Sequence, residues 1–437
     1  MFKILSSLVF VFFTISSYTQ NLQLVAPPVM GHCDMKEVKI WIAAKSLGKL
    51  SVDYWPSANS KDVKSMQVSI DNSEHYSTIF TLSDLEPGTE YTYTFKGSSD
   101  PNKYTFTTEA LWQYRTDPPN YKIALGSCAF LNEEKYDRPG KGYGNNYTIF
   151  DSIAVHQPDL MLWLGDNVYF REVDFESKAA MIRRYMLSRT NPALSKLWSS
   201  CAHYAIWDDH DFGPNDSNGS YVHKDWSLEL FKAFWPNPSY GGPATGDGIT
   251  SHFAFGDSEF FLLDNRYNRT INDAVGVEPT ILGEEQIQWL ILALKSSRAP
   301  FKFVAMGGQF LNTDAKYENY STYPSERNRI IELIEKNNIK GVIFLTGDRH
   351  CTELSELKLS NGNVIYDLTV SPLTSGAYDN SKENNTLRVA ETIVGTQNFG
   401  LFTFSGKQKE RVLTISIYTH TGALAWTKDI SSFDVKK

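Results

Sequence analysis

Residues 159–169 read DLMLWLGDNVY. An unbroken apolar run, Leu160 to Leu164, stops at Gly165 and is followed by Asp166 and Tyr169. A short apolar run bounded by turn residues is the pattern of a buried strand. The pattern recurs. YKIALGSC (121–128) ends on Cys128, HYAIWDDHD (203–211) on Asp209 and His210, and FFLLDNR (260–266) on Asp264 and Arg266. FKFVAMGGQ (301–309) ends on Gln309 and VIFLTGDRH (342–350) on Asp348 and His350. Open α/β sheets carry their sites at the carboxyl ends of strands. The runs are therefore expected to bring thiol, phenol, carboxylate, imidazole, amide and guanidinium groups to one edge. A single Gly-Asp after a strand is ordinary turn chemistry. The whole set, with Cys and His in it, is a candidate site.

Outward from these runs the chain shows two textures. ESKAAMIRRYMLSR (176–189), GEEQIQWLILALKSS (283–297) and PSERNRIIELIEKNN (324–338) have helical periodicity and alternate with the strand runs. Residues 22–108 are different. VKIWIAA, KLSVDYWP, MQVSI, YSTIFTL and YTYTFKG are short, β-branched and aromatic, with turn residues between them. LEPGTEYTYTF (85–95) resembles the corner of a fibronectin- or immunoglobulin-like sandwich, where a Tyr hydroxyl bonds back to nearby backbone. The expected organisation is a small β-sandwich over 22–108, a linker over 109–120 ending in Pro118 and Pro119, and an α/β catalytic domain over 121–437 that holds the complete site. The segment 212–248, rich in Gly, Pro and aromatics, reads as a loop over the site or a surface excursion.

The chain has 437 residues, 41% hydrophobic and 21% charged, with a net charge of −8. No global basic field draws it to nucleic acid or an anionic membrane. Residues 1–20, MFKILSSLVFVFFTISSYTQ, read as a secretory signal peptide, with Lys3 ahead of a short apolar run. No later stretch has the length and apolarity of a membrane span. The mature chain is expected to be exported, periplasmic or extracellular. Cys33, Cys128, Cys201 and Cys351 are too few for a disulfide scaffold.

The strand-end residue types suit metal ions. Carboxylates bridge cations. Cys128 and Tyr169 ligate well only when deprotonated, which a strongly charged cation promotes, and a trivalent one suits phenolate. Asp209 and Asp348 are hard oxygen donors suited to calcium, magnesium or manganese. No CxxC or paired-His spacing for structural zinc is present. Taken singly, Cys128 reads as a buried apolar residue, Tyr169 as a core aromatic, and Asp208 as a turn residue. Gln309 reads as a core amide or a support behind the site. His32, His203, His223, His252 and His420 match no motif.

GSC (126–128), GDNVY (165–169), WDDHD (207–211), LDNR (263–266) and GDRH (347–350), in that order, resemble the alkaline phosphatase D family, within the calcineurin-like and purple-acid-phosphatase-like metallophosphoesterases. The resemblance implies a four-layer αββα sandwich behind the small β-sandwich, with iron(III) and calcium or another hard divalent cation. By motif it implies Cys128, Asp166, Tyr169 and His350 on the iron side, with Asp166 bridging, and Asp209 and Asp348 on the second ion. His210 would face the phosphate and Arg266 would clamp it, with Asp211 orienting His210 from behind. Asp209 and Asp348 stand where the wider superfamily has Asn and His, which hardens the second position. The implied function is an exported phosphoester hydrolase, phosphatase or phosphodiesterase, using a metal-activated hydroxide on a phosphate ester substrate. A phospholipase D-like diesterase on lipid headgroups or teichoic-acid-type polymers is the neighbouring reading. A calcium-dependent adhesion or carbohydrate-binding protein is the reading from another class.

Overall fold

The computed structural model describes residues 21–241 and 246–432; the expected signal peptide lies outside the described residues. The first seven strands are β1 (Val29–Cys33), β2 (Val38–Ala43), β3 (Gly48–Pro56), β4 (Lys64–Ile70), β5 (Ser77–Leu82), β6 (Glu90–Lys96) and β7 (Tyr104–Thr107). They form two antiparallel sheets, β1-β2-β5 and β4-β3-β6-β7, that share one buried cluster including Ile40, Val52, Phe80 and Tyr93. The Tyr91 hydroxyl accepts the Glu86 N–H at 2.9 Å, as the corner sequence implied. Residues 108–120 then run without strand or helix.

The next strands are β8 (Tyr121–Gly126), β9 (Leu160–Leu164), β10 (Ala202–Ile206), β11 (Ser251–Phe255), β12 (Ser258–Leu262) and β13 (Phe301–Ala305). They are followed by β14 (Val342–Thr346), β15 (Glu353–Lys358), β16 (Val364–Thr369), β17 (Asn398–Ser405), β18 (Val412–Thr419) and β19 (Leu424–Ser431). They build two six-stranded mixed sheets, β10-β9-β8-β17-β18-β19 and β11-β12-β13-β14-β16-β15. The single edge expected from the sequence is thus the joint edge of two sheets. β8, β9 and β10 are parallel in one, and β12, β13, β14 and β16 are parallel in the other.

Period-two geometry explains how the second sheet buries both faces. Phe260, Leu262, Phe303, Ala305, Ile343 and Leu345 turn inward to the core shared with the first sheet, where the Phe303 ring lies 5.3 Å from that of Phe402. The alternate residues Phe261, Leu263, Val304, Val342 and Phe344 turn outward. There they meet Ile287, Leu290 and Leu294 of the helix Glu284–Ser296, and Ile330 and Ile334 of the helix Pro324–Lys336. Both helices, and the helix Lys178–Thr190, fall where periodicity placed them. The segment 212–248 differs from its reading. Lys224–Phe234 is an amphipathic helix, with Leu230, Phe231 and Phe234 buried; the flanking Gly and Pro residues masked its short period.

The N-terminal sheets are not loosely tethered. Val29, Trp41 and Ala43 belong to the same buried cluster as β8, β9 and β10. Trp41 packs on Phe234, and the Pro236 carbonyl accepts the His32 N–H at 2.9 Å. At the end of these sheets the Glu109 carboxyl is raised to about 8 by burial, against a bond from the Gly256 backbone, and its Oε1 accepts no hydrogen bond. Because the folded value lies above the unfolded one, its stabilising contribution is complete below the ordinary carboxyl range and fades as pH rises to about 8. Glu109→Gln is expected to raise Tm at pH 8 and leave it nearly unchanged at pH 4. Equal shifts at both pH values would refute this.

Candidate metal centre

The parallel strands end level, and each loop turns sharply at once. Cys128, Asp166, Asp348 and His350 all have left-handed backbones, with φ of +59°, +52°, +64° and +53°. That conformation is uncommon without a glycine and is concentrated at functional sites. The turns bring the side chains together. Cys128, Asp166 and His350 place ligand atoms within 4.8 Å of one another; so do Asp166, Asp209 and His210, and Asp208, Asp209 and Asp348. Asp166 and Asp209 each belong to two groups, so the three form one continuous cluster.

Tyr169 joins the first group, its hydroxyl donating to Asp166 Oδ2 at 3.1 Å. The Cys128 thiol donates to the same oxygen at 3.6 Å and accepts the Ser371 hydroxyl at 3.2 Å. His350 Nδ1 is taken up by the Gly376 carbonyl and the Tyr143 hydroxyl, which leaves Nε2 as its ligand atom. Asp216 and Glu318 form a further group with Asp209, their ligand atoms within 4.8 Å of one another.

Burial first, then the neighbouring carboxylates, push Asp166 and Asp348 above the ordinary carboxyl range. Burial also raises Asp208, with Arg266 opposing. Asp209 goes the other way: burial would raise it, but His210 and Arg266 hold it below the usual value. Burial pushes the Cys128 thiol up to about 12 and the Tyr169 phenol far above its normal range. Asp208 Oδ2, Asp209 Oδ1 and His210 Nδ1 are buried and make no hydrogen bond. Buried anions and unpaired polar atoms are costly. A cation supplies the missing partner and displaces the thiol and phenol protons, so the donor set fits bound metal.

Glycine makes the crowding possible. A Cβ on Gly307 would lie 2.3 Å from the Asp208 carboxyl carbon, and one on Gly165 (φ +90°) 2.8 Å from Asp208 Cβ. Loops of both sheets therefore close on Asp208, at the seam between them.

Arg266, expected at the phosphate, is fully buried. Its guanidinium donates to Asp208, to Glu318 through both terminal nitrogens (3.1 and 2.7 Å), and to the Ser217 carbonyl. Asp211, expected to orient His210, makes no hydrogen bond to its ring among the described residues. Its oxygens accept the Asn167, Val168 and Asp208 N–H groups, which pins the Asp166 loop to the start of the helix Asp209–Phe212. Asp264 likewise ties its loop, accepting the Trp207 indole and the Arg266 and Tyr267 N–H groups. Gln309 is buried behind the site, donating to Glu353 and Thr369 and accepting from Arg349. Glu318, Asn265 and Ser371 were not singled out in the sequence. Glu318 follows no strand run, and long-range contacts with Arg266, Arg269 and Asp209 reveal it.

A profile of PhoD-like phosphatases matches residues 123–412. The chain belongs to this family. The matched span holds every candidate ligand and both sheets' site loops. Alkaline phosphatase D of Bacillus subtilis (strain 168) is 27% identical over 323 residues, 62% of this chain and 53% of that relative. The chain thus spans about half the length of the curated relative it matches. Among solved structures, one titled as PhoD superposes with a TM-score of 0.73 at 18% identity, covering 96% of this chain and 93% of its own. Purple acid phosphatase PPD1 from yellow lupin seeds superposes at 0.70 and 13% identity, covering 94% and 75%. These two likenesses concern the fold.

Proposed function

We propose that this chain is an exported, metal-dependent phosphoester hydrolase. The observation that carries the reading is the single buried cluster in which Asp166 and Asp209 are each shared between neighbouring ligand groups. Family membership supports the same reaction class. The two mixed sheets, with helices against the outer face of the second, agree with a four-layer αββα catalytic domain, and the two N-terminal sheets with a supporting β-sandwich over 22–108. The cluster is buried at the strand ends rather than spread over surface loops, which disfavours a calcium-dependent adhesin.

Cys128, Asp166, Tyr169 and His350 would hold iron(III), and Asp209 and Asp348, with Asp166, a harder divalent ion such as calcium. Bound there, the cations supply Lewis-acid charge and lower the pKa of water. The chain's own groups do the rest. Burial holds the His210 ring below its usual pKa, so it is neutral near pH 7 and offers an N–H to a phosphate oxygen or the departing oxygen. Arg266 and Glu318 fix Asp208, and Asp211 fixes the loop carrying Asp166. No side-chain nucleophile is required.

The test is metal analysis and visible spectroscopy of the purified protein, alongside turnover of nitrophenyl phosphate and bis(nitrophenyl) phosphate. Iron with a hard divalent ion, a phenolate-to-iron colour and hydrolysis of at least one ester are expected. Stoichiometric zinc alone without a visible band overturns the metal assignment. Absence of turnover from metal-replete protein overturns the hydrolase reading.

A further inference from the structure

A cleft of about 710 Å³ opens beside His210 and Tyr169, large enough for a nucleoside-sized ligand. The metal chemistry accounts for neither of two aromatic side chains in its wall. Phe175 is half-buried, packed on one side against the core, and makes no ring–ring contact among the described residues. Tyr378 is 53% exposed and stacks one face on the His350 ring, with centroids 5.5 Å apart, which leaves its other face to the cleft. Lys141, at the same cleft, is exposed and carries no ion pair among the described residues. Arg138 beside it is paired with Glu172. An overall acidic chain thus presents, next to its candidate centre, two aromatic rings at the cleft wall and a cation without an ion pair among the described residues.

We propose that this cleft seats a flat aromatic leaving group, so that nucleoside phosphates are preferred over phosphoesters of plain sugars or alkyl alcohols. The inference rests on the hydrolase reading above. Hydrolysis breaks the bond between phosphorus and the ester oxygen, joins the oxygen of water to phosphorus, and returns a proton to the departing alcohol. The leaving alcohol is therefore the part that the space beside His210 must receive. Stacking a base on a protein ring favours binding by roughly 10- to 100-fold, and tolerates any base because each has a π-face. Lys141 draws the anionic ester to the mouth.

The experiment compares adenosine monophosphate with ribose phosphate, both esterified at the primary alcohol, using the full-length metal-replete protein. The chemistry of the departing oxygen is matched, so only the base differs. A kcat/KM ratio of roughly 10 to 100 in favour of the nucleotide is expected, carried mainly by KM. Phe175→Leu and Tyr378→Leu keep apolar bulk but lose the ring, and each is expected to shrink that ratio about fivefold or more. Equal kcat/KM for the two esters, or a preference that survives both substitutions, overturns the inference. So does failure of both esters while nitrophenyl phosphate is still hydrolysed. Failure of all three overturns the hydrolase reading, and this inference with it.

Discussion

Asp166→Asn gives a folded protein that has lost its metal, its colour and its turnover, with kcat/KM at least ~10³-fold below wild type. The carboxyl lies between the two halves of the cluster. Oδ2 takes the Tyr169 and Cys128 protons, and Oδ1 accepts the His210 N–H at 3.2 Å. An amide keeps the size and one acceptor oxygen but removes the negative charge that would bridge two cations in the proposed centre. Folding survives, because Asp166 is crowded by carboxylates whose mutual repulsion the substitution relieves. The measurements are circular dichroism, metal content and phosphoester turnover on one preparation. A variant that keeps both metals and a tenth of the activity would show that Asp166 does not bridge.

His210→Ala keeps the metals and slows turnover by roughly 10²–10⁴-fold, the usual contribution of a positioned proton donor. The residue is the second of the short helix Asp209–Phe212, and its ring lies against Tyr169 with centroids 4.3 Å apart. Its Nδ1 is buried without a hydrogen bond. Its proposed part is proton donation during hydrolysis, so the loss is expected in kcat more than in metal affinity. Near-wild-type rates across the whole pH range would remove His210 from the reaction. Loss of one metal equivalent would make it a ligand instead.

The site was legible to the extent that its chemistry is local in the chain. Cys128, Asp166, Tyr169, Asp209, Asp348 and His350 each follow an apolar run, because a buried strand must be apolar and its end is where the chain can first turn a polar group into a cleft. Arg266 follows such a run too, and the same position serves a ligand contact or a structural ion pair. Only the presence of Asp208 and Glu318 around it separates the two. Asp211 sits beside His210 in sequence yet faces away from it, toward the Asp166 loop, because successive residues on a single helical turn point in different directions.

The sequence by itself determined most of the strands, three of the helices and which polar residues follow the buried strands, because burial periodicity and turn chemistry act over a few residues. Tertiary structure decided which groups meet. Two sheets, not one, supply the edge, and their loops close on Asp208 through Gly165 and Gly307, where no side chain fits. It also decided that Trp41 and Val29 join the buried core of the two mixed sheets. These outcomes depend on contacts between segments tens to hundreds of residues apart, which packing selects for shape and charge and which no local pattern encodes.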